Sequence, residues 1–159
     1  RLNSKEKENA QKGVVAVSGV LFIFGFVIAG FDYRFSWSSV PVPVVITASV
    51  ILLVSYALYA EVMRENAYLS RTVEVQKGQK VIDTGLYGII RHPMYAVTLW
   101  LFISIPMVLG SFWSLICVLP YIPLFVIRIK NEEKVLENGL EGYTEYKKRV
   151  RYRLIPFVW

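Results

Sequence analysis

The 159-residue chain contains one cysteine and one histidine. With Cys117 alone no internal disulfide can form, and its place inside an apolar run marks it as inert packing. Cys117 and His92 lie far apart, and a protein-built zinc site takes about four such ligands, so no metal is expected. Charge is scarce. Asp, Glu, Lys and Arg together make up 19% of the residues, hydrophobic residues make up 55%, and the mean hydropathy is +0.45. These values exclude an ordinary soluble domain. There is no internal repeat and no low-complexity tract. There is also no cleavable signal pattern: the run Val14–Phe31 is too long for a signal core, and no small-residue cleavage site follows it. Because the chain opens on Arg1 rather than Met, a fragment is expected.

Long apolar runs take up most of the sequence. Val14–Phe31 and Val40–Met63 are each long enough to cross a hydrocarbon core of about 30 Å at about 1.5 Å per residue. Tyr95–Leu109 and Phe112–Ile127 are slightly shorter and are separated only by Gly110-Ser111, so with Pro106 they predict a tight helical hairpin, with a re-entrant pair as the alternative. The expected fold is an all-α integral membrane protein of about four transmembrane helices, followed by a cytosolic C-terminal helix and tail. One membrane-embedded domain is expected over 1–159. Of the 18 Lys and Arg residues, four lie in 1–13, one in 32–39, five in 64–94 and eight in 128–159. Positive charge marks the cytoplasmic side, so both ends of the chain and the 64–94 segment are expected there. Topology and anionic lipid then account for the net charge of +6, and no nucleic-acid partner is implied.

Between the runs the signals are local. Residues 1–13 read as a charged arm and Asp32–Ser39 as an outer loop, with Tyr33, Phe35 and Trp37 as interfacial aromatics. Pro41 and Pro43 suit the start of the second helix, where missing donors cost least. The alternation from Thr72 to Gln76 predicts a short extended piece, and Lys77-Gly78 a turn. Pro93 suits the first position of the third helix. The fourth helix is expected to continue through Arg128–Asn138 and to stop at Gly139.

Residues 85–95 read Gly-Leu-Tyr-Gly-Ile-Ile-Arg-His-Pro-Met-Tyr and carry the clearest chemistry. Arg91, His92 and the unsatisfied N–H groups of a helix start suit an anion. The bland alternative is a membrane-interface anchor. Glycines such as Gly85 let a ligand approach the backbone, and Tyr87 and Tyr95 offer flat faces with a hydroxyl. Glu132 and Glu133 read either as a solvated helix face or as carboxylates turned towards Arg91-His92. A helical hairpin returns its ends to one face, which would set the two clusters side by side. Cations, carboxylates, glycines and aromatics together suit a zwitterionic nucleoside such as S-adenosylmethionine. Arg91 and His92 would match its carboxylate, Glu132 or Glu133 its ammonium or ribose hydroxyls, and Tyr87 or Tyr95 its adenine or sulfonium. A phosphate-bearing nucleotide would also suit the cations, but the glutamate pair would repel it. The basic run Lys147–Arg149 with Arg151 and Arg153 reads as a lipid-headgroup contact, or as a hold on an anionic substrate group.

Gly85-x-Tyr87-x-x-x-Arg91-His92-Pro93-x-Tyr95, the hairpin, Arg128-x-x-x-Glu132-Glu133 and the tail Glu141-x-Tyr143-x-x-Tyr146-Lys-Lys-Arg-Val150 together resemble the isoprenylcysteine carboxyl methyltransferase family, to which phospholipid N-methyltransferases are related. The resemblance spans about residues 66–157. It implies an S-adenosylmethionine-dependent membrane methyltransferase, with Gly85, Tyr87, Arg91, His92, Pro93, Tyr95, Glu132 and Glu133 about the cofactor. Arg149 and Arg153 are then candidate contacts to a lipophilic acceptor (a carboxylate, thiol or amine) methylated by in-line displacement. Membrane sterol reductases, which use NADPH, share a similar Arg-His-Pro-x-Tyr segment and a tail like Tyr152–Pro156, and supply the runner-up. A non-enzymatic scaffold or lipid-binding protein is the third reading.

Overall fold

The computed structural model describes residues 2–69 and 73–159, and their side chains apart from those of 2–12 and 14. The elements are α1 (Leu2–Phe35), α2 (Val42–Glu65), a 3-10 turn at Gly85–Gly88, α3 (Pro93–Val108), a second 3-10 turn at Trp113–Cys117, α4 (Tyr121–Gly139) and α5 (Tyr143–Arg149). Three stretches, Val15–Phe35, Val42–Glu65 and Trp113–Gly139, are helical, long and apolar enough to cross a membrane, and α3 is a shorter apolar helix. The chain is an all-α integral membrane protein.

Several boundaries differ from the sequence expectation. The charged arm is not separate, because from Leu2 onwards it is the first part of α1. Glu, Lys, Gln and Ala are good helix formers, and nothing in that stretch breaks the helix. Asp32 to Phe35 also stay helical, so the loop begins only at Ser36. The return limb of the hairpin is not one helix from Phe112. The 3-10 turn comes first, and α4 starts at Tyr121. Pro120 explains the delay: it has no N–H to donate, and it disfavours helix at the residue before it. Thr72 lies outside the described residues. Val73–Gln76 form no strand, and none occurs among the described residues. The Lys77-Gly78 turn is present, with Gln79 N–H donating to Gln76 O at 3.0 Å and Gly78 at φ +76°. Gly139 is the last residue of α4, as expected.

The chain groups into two compact units, residues 1–53 with 100–124 and residues 54–99 with 125–159. In the first unit, α1 is tied to the hairpin turn by polar groups. Asp32, 1% exposed, accepts from Ser38 N–H and Ser38 Oγ, both at 2.6 Å, and from Ser111 Oγ at 2.5 Å. Ser114 Oγ donates to Gly25 O at 2.7 Å. The Tyr121 hydroxyl donates to Ser18 O, and its ring meets Phe102 edge-on at 4.5 Å. Outward apolar side chains such as Ile23, Phe24, Ile46 and Leu53 stay exposed, which suits helices whose solvent is lipid.

The second unit holds two apolar clusters. Val62, Tyr87 and Val97 form one, with Leu69, Ile82 and Met94 packed on it. Leu140, Tyr143, Tyr146 and Val150 form the other, with Val75, Val81 and Leu136 around them. The first cluster joins α2 and α3 to the 85–88 turn, and the second joins α5 to the 73–82 loop and the end of α4.

Candidate functional site

Pro93 opens α3, where its missing N–H costs nothing, and His92 O accepts from Ala96 N–H at 3.2 Å. The two residues before the helix are held by the tail. Arg91 N–H donates to Tyr152 O and His92 N–H to Arg153 O, each at 2.9 Å. Both side chains are therefore fixed at a helix start beside α4.

Glu133, 3% exposed, is the centre of the charged groups. Its Oε1 accepts from Arg91 Nε at 2.8 Å and lies 3.3 Å from His92 Nε2. Its Oε2 accepts from Arg153 Nε at 3.0 Å, with Arg153 Nη2 at 2.9 Å. Arg91 Nη1 donates to Val150 O and Arg151 O, both at 2.8 Å. A buried carboxylate is tolerable only when paired this completely. The cluster joins three distant parts of the chain: the start of α3, the middle of α4 and the tail.

Beside this cluster lies a cavity of about 500 Å³, within the size range of small-molecule sites. Its wall mixes apolar and aromatic groups (Tyr59, Met63, Met94, Phe125) with polar ones (Asn66, Lys80, Arg128, Glu132). Tyr95 donates to Glu132 Oε2 at 2.8 Å, and Arg128 also bears on the Tyr95 hydroxyl. Tyr87 is fixed at both ends: its carbonyl accepts from the Tyr146 hydroxyl at 2.7 Å, and its own hydroxyl accepts from Asn66 Nδ2 at 2.9 Å. Burial pushes the Tyr87 hydroxyl up to about 12, against the Asn66 hydrogen bond, so it stays a neutral phenol. Burial likewise raises Tyr143 and Tyr146. The Tyr143 hydroxyl is buried and has no hydrogen-bond partner among the described residues.

Of the residues singled out from the sequence, Tyr87, Arg91, His92, Tyr95 and Glu132 line the cavity. The others stand elsewhere. Glu133 is the counter-ion shared by Arg91, His92 and Arg153. Pro93 is buried at the start of α3. Gly85 adopts φ +50°, and a side chain there would overlap the Glu65 carboxyl, so its freedom makes room for Glu65. Arg149 pairs with Asp83, and Arg153 pairs with Glu133 while lying 5.0 Å from the centre of the Trp159 ring. Sequence reasoning missed Lys80, Asn66 and Tyr143 on the wall. The Tyr143-x-x-Tyr146 spacing, which puts both rings on one helical face, was the one available signal.

The buried ion cluster thus stands beside a polar-and-aromatic cavity of small-molecule size, in an all-α membrane protein. The profile of the isoprenylcysteine carboxyl methyltransferase family matches residues 44–138, and the chain belongs to that family of membrane methyltransferases. It is also similar to the Delta(14)-sterol reductase TM7SF2 of Mus musculus, 32% identical over 91 residues. That match takes in 55% of this chain and spans 22% of the reductase.

Proposed function

We propose that the chain is an integral-membrane methyltransferase that binds S-adenosylmethionine in the 500 Å³ cavity and methylates a lipophilic acceptor. The observation that carries this reading is the cavity itself, whose wall brings Arg91 and His92 together with Glu132, Lys80 and flat aromatic faces. The donor set fits a zwitterionic nucleoside: cations for a carboxylate, Glu132 for an ammonium or ribose hydroxyl, and the rings of Tyr59 and Phe125 for a base. When bound, the cofactor supplies a methyl group on a cationic sulfur.

This chain's own residues orient and exclude. Arg91, His92 and Glu133 lock the start of α3 against α4 and keep the Tyr87 and Tyr95 wall in register, so bound groups are held at fixed separation. Apolar wall residues such as Met63, Met94 and Phe125 exclude water, which favours the meeting of a cation with an anionic acceptor. Such an acceptor, a carboxylate or a thiolate, needs no general base. With an amine acceptor, Glu132 or His92 on the cavity wall would be the base, since Glu133 is held by Arg91 and Arg153 away from the wall. Arg149 and Arg153 remain the proposed contacts to the acceptor's anionic end. The distribution of basic residues supports a cytoplasmic location for both ends of the chain and residues 64–94. In a Cys117→Ala background, cysteines placed at Trp37 and Lys77 should label from opposite sides of the membrane, and labelling of both from one side would refute this orientation.

Calorimetry on detergent-purified protein, with S-adenosylmethionine in one titration and NADPH in the other, tests the activity class. Binding of S-adenosylmethionine alone is expected. Binding of NADPH alone would replace the methyltransferase with a reductase, and binding of neither would leave a scaffold.

A further inference from the structure

The tail segment Tyr152–Trp159 leaves its apolar groups exposed on a closed turn. Phe157 is 88% exposed, Val158 75% and Ile155 47%. Phe157 also holds φ +66°, a left-handed conformation unfavourable for a bulky side chain. An aromatic ring held at such a position and left outside the protein is doubly unfavourable in water. The turn is closed by Trp159 O, which accepts from Arg153 N–H at 2.9 Å and from Leu154 N–H at 3.0 Å. The Arg153 guanidinium lies 5.0 Å from the centre of the Trp159 ring. Two markers set the level of this turn in the bilayer. The exposed face of α4 changes from apolar at Ile127 to polar at Lys130 and Asn131. Glu133, which pairs with Arg153, follows six residues after Ile127, about 9 Å along a helix axis that rises about 1.5 Å per residue. The start of α3 gives the same level. Its apolar run opens at Pro93, and Arg91 and His92 just before it donate their N–H groups to Tyr152 O and Arg153 O. The headgroup layer is about 5–8 Å thick on each side of the hydrocarbon. Arg153 therefore stands at that layer, and the turn that follows it lies at the bilayer surface.

We propose that Ile155, Phe157 and Val158 form an interfacial anchor that enters the headgroup–acyl boundary of the bilayer this protein spans, with Lys148 and Arg151 against anionic phospholipid headgroups. The proposal rests on the all-α membrane fold and is independent of the methyltransferase reading. The chemistry is complementary. Apolar groups on a surface element enter that boundary by about 5–10 Å, where burial in lipid offsets the exposure of the Phe157 ring. Lys148 and Arg151 are exposed, and basic residues beside a membrane helix are drawn to an anionic leaflet. The anchor also reaches the ion cluster through one residue. Arg153 is tied to the turn by its N–H and its guanidinium, and to Glu133 by Nε and Nη2, while its carbonyl accepts from His92 N–H. Contact with lipid thereby holds the tail against the start of α3.

The test places a nitroxide spin label on the full chain, reconstituted in phosphatidylcholine vesicles with and without phosphatidylglycerol. In a Cys117→Ala background the label is attached through Val158→Cys, or through Asn138→Cys as a reference. Asn138 is exposed on α4, five residues beyond Glu133 and about 7.5 Å further from the membrane. Collisions are measured with oxygen, which concentrates in lipid, and with a neutral nickel chelate, which stays in water. At position 158 the ratio of oxygen to nickel collisions is expected to be several-fold higher than at 138. Phosphatidylglycerol should raise that ratio further, and Lys148→Gln with Arg151→Gln should remove the gain. Phe157→Ser, at a side chain that is 88% exposed, should lower the ratio at 158 several-fold. Equal ratios at 158 and 138 would put the turn in water and overturn the anchor. Low collision with both reagents at 158, the mark of a turn covered by protein, would overturn it as well. A ratio indifferent to phosphatidylglycerol would overturn the part given to Lys148 and Arg151.

Discussion

Among the described residues two carboxylates are buried, one in each compact unit, and they are stabilised in different ways. Asp32 is met by neutral donors, Ser38 and Ser111, in the unit built from residues 1–53 and 100–124. Glu133 is met by Arg91, His92 and Arg153 in the other unit. Serine donors close around Asp32 and leave it no further work, since Ser111 also caps the Ser114 N–H at 3.1 Å. That arrangement is a clasp between the end of α1 and the hairpin turn. The guanidinium and imidazole groups around Glu133 belong to segments far apart in sequence, and two of them reach a cavity wall. A neutral clasp fixes one contact. A shared counter-ion fixes the relative placement of three segments, which is what a ligand site requires.

The sharpest way to break this comparison is Glu133→Gln. It leaves Arg91 and Arg153 buried or half-buried without a counter-ion, and breaking a buried pair costs about 3–5 kcal/mol. Thermal unfolding in detergent should fall accordingly, and cofactor binding should fall with it, because the α3 start and the tail both lose their tie to α4. Asp32→Asn should cost about half as much, since it exchanges one acceptor among neutral donors and strands no cation. Its cofactor affinity should match the parent's. If Asp32→Asn proved the more damaging change, or weakened the cofactor, the division between a structural clasp and a site-forming cluster would fail.

The sequence showed these features unequally. Hydropathy located the membrane helices, because lipid-facing helices need no amphipathic stripe and run apolar on most sides. It did not locate the 3-10 turn at Trp113–Cys117, whose residues are as apolar as a helix would need, and only Pro120 marked the interruption. Arg91, His92, Glu132 and Glu133 were legible as a candidate site, with an interface anchor and a solvated helix face as the alternatives. Which of Glu132 and Glu133 faced inward was not legible. Adjacent helix positions point about 100° apart, and only the tertiary contacts decide between them. The structure turns Glu133 to the ion cluster and Glu132 to Tyr95. Asp32 read as a loop residue, since its serine partners are six and 79 positions away. Tyr143 was legible as part of the tail motif but not as a cavity-wall residue, because its place on the wall is a property of packing.

The smallest effect on stability is expected at Arg149, and it separates folding from substrate recognition. Its guanidinium pairs with Asp83 while remaining 66% exposed, and exposed pairs contribute little. Arg149→Ala should therefore shift unfolding by less than about 0.5 kcal/mol. The arginine lies on α5, two turns of backbone from the Tyr143 that lines the cavity wall, and the Asp83 it pairs with precedes the 85–88 turn. An acceptor whose anionic end displaced Asp83 would gain a cation at little cost, because the pair it breaks is solvated. Methyl transfer to two matched acceptors, one with a long apolar tail and one without, reads this directly. The parent should prefer the tailed acceptor. In Arg149→Ala its KM for that acceptor should rise about tenfold with kcat little changed, as expected for loss of a uniform binding contact. Asp83→Ala, which frees the guanidinium, should lower the same KM. If both variants turn over the tailed acceptor like the parent, Arg149 is a solvated surface charge and the anionic end of the acceptor is held elsewhere.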